Sequence, residues 1–418
     1  MVKIQKSKPL FGEIELSGAK NATLPILTAA PLCGEGTILK NVPEHMRDVQ
    51  VLISVLNKMG IEIRLENGCA YIGRINPRDG QAPIEAGNIR YSLLLLPLFL
   101  NLCGQAAIPK PGGCNLGNRQ YDILLDTLSR TGYIILEGNE KIEAIQRGER
   151  TALNILFHTA TTIGSENAVI ASLFINGTSE VRNANTRPEV IDLIRFLNKA
   201  GANISYHTRA IHITGVKSLH SCEYTIMQDR HEAVSYMILA AMCRGEICIK
   251  NFNTEHIKED VELLRRIGVG IYEWGNNVYI TAKGRELHPF SMVTYPYPGI
   301  NSDMQPLFAA LATTIHGESI ITDTRFTERF QYVPEFQKMG ADIVNYENCA
   351  IVHGGKPLHG SSVKAPDLRA GAALTFLGAV ADGTTVIDNF YQVERGYEKI
   401  IDKMQALGVD ISSSEASV

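Results

Sequence analysis

Residues 302–344, SDMQPLFAALATTIHGESIITDTRFTERFQYVPEFQKMGADIV, decide the fold, because they spell out one unit that recurs along the chain. Ser302 to Ile315 is apolar at helical spacing, with Ser302 and Asp303 placed to cap its start. His316-Gly317 ends that helix, and Glu318 to Thr322 reads as a β-branched strand. Val333 to Met339 is a second helix, closed by Gly340 as a left-handed C-cap, and Ala341 to Val344 begins another strand. The same closing glycine stands at positions 60, 132, 201, 268 and 408, at intervals of about 67–72 residues. Six copies therefore fill the 418 residues. A unit of that length mixing helix and strand is a small α/β fold and not a solenoid turn.

The other copies pair helix and strand in the same way: Ala22–Ala30 with Thr37–Leu39, Asn167–Ile175 with Ser179–Arg182, His231–Met242 with Glu246–Lys250, and Ala370–Ala379 with Thr384–Asp388. In the second copy the helix Tyr91–Cys103 leads into the strand Gly104–Ile108 and then a glycine-rich loop, KPGGCNLGNR. The first helix of each copy is apolar nearly all round, which demands burial, whereas the second carries charge on one face. Six units divide into two sets of three, so two domains are expected, each with three buried helices and sheets around them.

Composition fits a soluble globular protein: 45% of residues are hydrophobic and 20% charged. A net charge of −4 supplies no general field for nucleic acid, so an anionic substrate needs cations gathered locally. The eight cysteines form no CxxC pair and no metal-ligand spacing, and read as reduced thiols. The first residues, MVKIQKSKPLFGEIELSGAKN, hold no signal-peptide core, and the most apolar run is too short to span a bilayer. A cytoplasmic protein with no membrane and no nucleic-acid partner is expected.

Charged residues recur just before the buried helices: Lys20 with Asn21, Arg90, Asp229 with Arg230, Asp303, and Asp367 with Arg369. Capping and salt bridges explain them, and so does an anion site at converging helix N-termini. In the loop, three glycines permit close backbone approach to a ligand, and Arg119 would favour the thiolate of Cys114. That thiol is either an inert small side chain or a nucleophile or proton donor.

SGAKNATLPIL, the PGGC loop ending in Arg119, PGINSDMQ, PDLRA and ERGYEKI, in this order, resemble the UDP-N-acetylglucosamine 1-carboxyvinyltransferase (enolpyruvyl transferase) family, relatives of 5-enolpyruvylshikimate-3-phosphate synthase. The resemblance spans nearly the whole chain. It implies a two-domain inside-out α/β barrel, each domain three βαβαββ repeats around buried helices. Residues 20–227 would form one domain, and 1–19 with 228–418 the other. It further implies transfer of the enolpyruvyl group of phosphoenolpyruvate to the 3-hydroxyl of the nucleotide sugar, by addition and elimination through a tetrahedral ketal, with release of phosphate and closure of a cleft.

By the same resemblance, Cys114 protonates the methylene carbon and is the target of the epoxide fosfomycin, and Asp303 stands beside the attacking hydroxyl as a general base. Lys20, Arg119 and Arg395 match the cations around the phosphate, and Lys20 and Arg395 join Cys114 and Asp303 as catalytic residues. Arg90, Arg329 and Arg369 match further arginines, and Asn21 a sugar contact. Asp122, Thr162, Ile163, Gly164, Arg230 and Asp367 complete the substrate-binding set. No metal and no cofactor is implied.

The chain departs from the family pattern mostly on the nucleotide-sugar side. Arg119 is followed by Gln120-Tyr121-Asp122 where Pro and an acid are usual, and Leu124 stands where a His can. Ala160 lies where a Lys often precedes the diphosphate turn, with His158 nearby, while Arg187 replaces an acid and Gln50 an acidic position beside Asp48. Three functions stay open: the cell-wall enzyme, an enolpyruvyl transferase for another nucleotide or nucleotide-sugar acceptor, and a non-catalytic ligand-binding relative.

Overall fold

The computed structural model describes residues 1–112 and 121–413, so Cys114 and Arg119 lie outside the described residues. The chain is mixed α/β and divides into two compact units. One comprises Met1–Ser17 and the described part of Gln228–Val418, the other the described parts of Gly18–Gly113 and Arg119–Met227. Each unit has its own hydrophobic core.

In the first unit three helices are almost wholly buried: Arg230–Met242, Gln305–Thr313 and Leu368–Val380. Their apolar, alanine-rich faces leave little to expose, and the three pack on one another. Three four-stranded sheets surround them. One runs Phe11–Glu15, Glu246–Lys250, Asn277–Thr281, Gly270–Trp274; its first pair is parallel and the other two are antiparallel. The sheet beginning at Ser291–Thr294 and the sheet beginning at Ser362–Lys364 repeat that order of one parallel and two antiparallel pairs.

The second unit buries Lys20–Ala29, Leu95–Cys103 and Thr162–Ser172. Its sheets starting at Glu223–Thr225 and Asn154–Leu156 keep the same pairing. The third has strands Gln105–Pro109, Lys141–Gln146 and Tyr133–Glu137, with the parallel edge reduced to a bridge between Gln81 and Ala107. Here the stretch read as one helix over 91–103 begins instead as a 3-10 turn, Arg90–Leu94. Pro97 falls in the first turn of the α-helix that follows, where its missing N–H costs no hydrogen bond.

Glycines 60, 132, 201, 268, 340 and 408 all adopt positive φ, from +87° to +113°. At Gly60 (φ +92°) the need is also steric, because a Cβ would lie 2.1 Å from the Asn76 carbonyl oxygen. Gly60→Ala should therefore cost about 1–3 kcal/mol, read from the urea midpoint. An unchanged midpoint would contradict this account of the helix stop.

Among the described residues, no helix is long and apolar enough to cross a membrane.

Candidate active site

In the first unit, the Gln305–Thr313 helix is entered through a 3-10 turn, Ser302–Met304. This shifts the cap. Sequence reading put Ser302 and Asp303 there, but Asn301 takes the role, its Oδ1 accepting from the Asp303 N–H at 3.0 Å. Ser302 instead donates to Asp323. The Asp303 carboxylate is left to accept from Arg329, whose Nη2 lies 2.7 Å from Oδ1.

Arg369 approaches from a third element. It is the second residue of Leu368–Val380, whose start Asp367 caps by accepting from the Arg369 and Ala370 N–H groups at 2.8 and 3.1 Å. The Arg369 Nε stands 3.7 Å from Asp303 Oδ2, and its guanidinium lies 5.0 Å from the centre of the Tyr397 ring. Burial works against the Arg369 charge, but Tyr397, Asp303 and Asp229 more than compensate and raise its pKa. Its Nη1 has no hydrogen-bond acceptor among the described residues. A buried cationic donor in that state is suited to an anionic ligand.

Arg230 is buried at the start of its helix, with its guanidinium 5.4 Å from the Tyr297 ring. Asp260 is buried as well, and burial lifts its carboxyl to about 7 against the pull of Arg230. Arg395 is half-buried and donates to Gln392 at 3.1 Å.

In the second unit, Lys20 opens its helix and its Nζ meets Asp48 Oδ2 at 2.6 Å, both side chains nearly buried. Asp48, which the sequence left without its usual acidic neighbour, thus has a cation of its own. Gln50 donates to the Glu44 carbonyl. The Asn21 carbonyl accepts from the Tyr91 hydroxyl at 3.4 Å. Tyr121 donates to Glu137 at 2.9 Å. Burial, then Glu137, pushes its phenol up to about 12, with the Arg90 charge opposing. Asp122 is exposed, 4.0 Å from His158 Nε2.

Thr162, Ile163 and Gly164 form the first turn of Thr162–Ser172, and Thr161 provides no side-chain cap. Uncapped N–H groups at a helix start suit a phosphate. Arg187, the predicted reversal of charge, adds no free cation. It holds Glu189 bidentately, at 2.6 and 2.9 Å, with Glu189 fully buried and Arg187 partly so. Beside them Glu166 is fully buried, and neither of its carboxylate oxygens has a hydrogen-bond partner among the described residues. Burial raises its pKa far above the usual carboxylate range, Arg187 opposing.

Asp303, Arg329 and Arg369 are therefore brought together, while Arg395 donates to Gln392 and Asp122 lies exposed. Local sequence pattern carries no role for Asn301, His231, Tyr397 or Glu166. Asn301 and Tyr397 stood inside quoted motifs, so their positions were visible though their roles were not.

The profile of the EPSP synthase (3-phosphoshikimate 1-carboxyvinyltransferase) family matches residues 4–404, and the chain belongs to this family of enolpyruvyl transferases. It is similar to the UDP-N-acetylglucosamine 1-carboxyvinyltransferase of Finegoldia magna, 36% identical over 420 residues and 99% of each chain. It is also similar to UDP-N-acetylglucosamine 1-carboxyvinyltransferase 1 of Caldanaerobacter subterraneus, 38% identical over 411 residues and 98% of each. The fold is shared with the enolpyruvyl transferase NikO from Streptomyces tendae, at a TM-score of 0.89 and 22% identity over 98% of each chain. EPSP synthase from Acinetobacter baumannii has it too, at 0.75 and 16% over 99% of each.

Proposed function

We propose that this enzyme transfers the enolpyruvyl group of phosphoenolpyruvate to the 3-hydroxyl of UDP-N-acetylglucosamine, the first committed step of peptidoglycan precursor synthesis. The observation that carries this reading is the end-to-end similarity to relatives of that name. The two units are read as the two domains of an inside-out α/β barrel, residues 20–227 and residues 1–19 with 228–418. The site of action is the cytoplasm.

The chemistry uses the residues as follows. The acceptor oxygen bonds to C2 of phosphoenolpyruvate, its proton passes to Asp303, and C3 takes a proton from Cys114, giving the ketal. A proton then returns from C3 to the Cys114 thiolate, restoring the double bond as the C2–O bond to phosphate breaks, and the proton held by Asp303 leaves with the phosphate. Lys20, Arg119 and Arg395 hold the phosphate, while Arg90, Arg329 and Arg369 hold further anionic oxygens, because arginine's fork matches such groups. Asn21, Asp122, Thr162, Ile163, Gly164, Arg230 and Asp367 complete the contacts to substrate. The uncapped start of Thr162–Ser172 supports a phosphate of the nucleotide there.

A different nucleotide or nucleotide-sugar acceptor is the second reading, favoured by the buried group of Glu166, Arg187 and Glu189 close to that helix start. Phosphate release from phosphoenolpyruvate with a panel of acceptors separates the two. Release with UDP-N-acetylglucosamine is expected, and release only with another nucleotide would replace the first reading by the second. No release with any acceptor would leave a non-catalytic binder. Fosfomycin should alkylate Cys114, detected as a mass increase on the peptide containing it. Active enzyme carrying no adduct after exposure would overturn the assignment of Cys114 as the fosfomycin target.

A further inference from the structure

We propose that His231 is a positioning residue for Asp303, acting through the side-chain amide of Asn301. This rests on the reading of Asp303 as the carboxylate that takes the acceptor's proton. His231 is the second residue of Arg230–Met242 and is only 2% exposed. Its Nε2 lies 3.0 Å from Asn301 Nδ2, across 70 residues of sequence. On its other side, Nδ1 is 3.6 Å from Asp229 Oδ1, an electrostatic contact too long for a hydrogen bond. The Asp229 carboxylate is itself held by the N–H groups of His231 and Glu232, at 2.8 and 3.1 Å.

The polarity of these contacts is fixed by elimination. Asn301 Oδ1 is committed to the Asp303 N–H, so the end turned to His231 is the NH2, a donor. The facing ring nitrogen, Nε2, must therefore be the acceptor, which puts the ring proton on Nδ1, toward Asp229. Were Nε2 to carry the proton, two donors would meet. Asn301 could recover a bond to the ring only by turning over, and its NH2 would then face the Asp303 N–H. Asn301 holds the backbone of Asp303 on one side, and Arg329 holds its carboxylate on the other. An acceptor at His231 thus keeps the Asn301 amide turned so that its Oδ1 holds the Asp303 N–H.

The test compares His231→Leu, which presents no acceptor, with His231→Gln, whose Oε1 can accept from Asn301. The Leu variant should lose about 10- to 100-fold in kcat, since small misplacements of a reacting group are that costly, with KM for phosphoenolpyruvate unchanged. The Gln variant should recover most of the loss. Wild-type kcat in a folded Leu variant, or equal losses in Leu and Gln, would overturn the proposal. If the Leu variant does not fold, His231→Met, whose thioether is only a weak acceptor, decides: a kcat-specific loss that the Gln variant does not share sustains the role, and wild-type kcat overturns it. Asp303→Asn is measured in parallel. Full turnover there would instead overturn the reading of Asp303, whereas an inactive Asp303→Asn beside an active His231→Leu removes only the role of His231.

Discussion

Asp303→Asn should lower kcat by about 10²- to 10⁴-fold, the range typical of losing a general base, while KM for phosphoenolpyruvate changes little. The substitution keeps the size of the side chain. It also keeps the backbone N–H that Asn301 accepts, and an oxygen for Arg329 at the 2.7 Å contact. What it removes is the ability to take a proton, together with the negative charge facing Arg329 and Arg369. A loss confined to kcat would therefore report chemistry, and the structure around it should survive. A variant within tenfold of wild type would show that another group accepts the proton. A large rise in KM with kcat preserved would mean that Asp303 only binds.

Asp260→Asn should make the protein more stable at pH 8 relative to pH 4 than the parent, a change of about 3–4 kcal/mol in the difference. Asp260 is buried in the first turn of Lys258–Ile267, and its Oδ1 lacks a hydrogen-bond partner among the described residues. Burial raises its pKa from 3.8 to about 7, with Arg230 opposing. The folded pKa lies above the unfolded one, so between about pH 4 and 7 the native state keeps a proton that the unfolded chain has released. Stability from this group is complete below pH 4 and is lost as pH rises through 7. Asparagine does not titrate, and other buried acids with raised pKa values, such as Glu166, Asp192 and Glu232, are common to both proteins. Their effects cancel in the difference. Urea unfolding from pH 4 to 8 reads the result, and parallel curves for the two proteins would refute it.

Local physics made much of the fold legible. Helices apolar all round had to be buried, as Arg230–Met242 and Gln305–Thr313 are. The closing glycines had to adopt positive φ, as all six do. Cap assignment was less secure, because it depends on how the first turn winds. One 3-10 turn moved the cap from Ser302 and Asp303 to Asn301, and that shift released a carboxylate for Arg329.

Net charge at a position depends on the partner, which shape does not. Arg187 looked like an added cation in the sequence, yet bidentate pairing with a buried Glu189 cancels it. Asp48 looked isolated, yet it pairs with Lys20. In each case the sequence carries the residue type, and the net charge depends on its neighbour.

The sequence by itself determined the repeat, the alternation of buried and amphipathic helices, and the residue types that phosphoryl and carboxyl recognition require. These follow from periodicity and backbone conformation, which act over a few residues. Only the tertiary structure decided partners. Asp303 meets Arg329 across 26 residues of chain, and Asn301 meets His231 across 70. Such pairs form because separate buried helices and turns are packed side by side, and no local pattern records which of them will be neighbours.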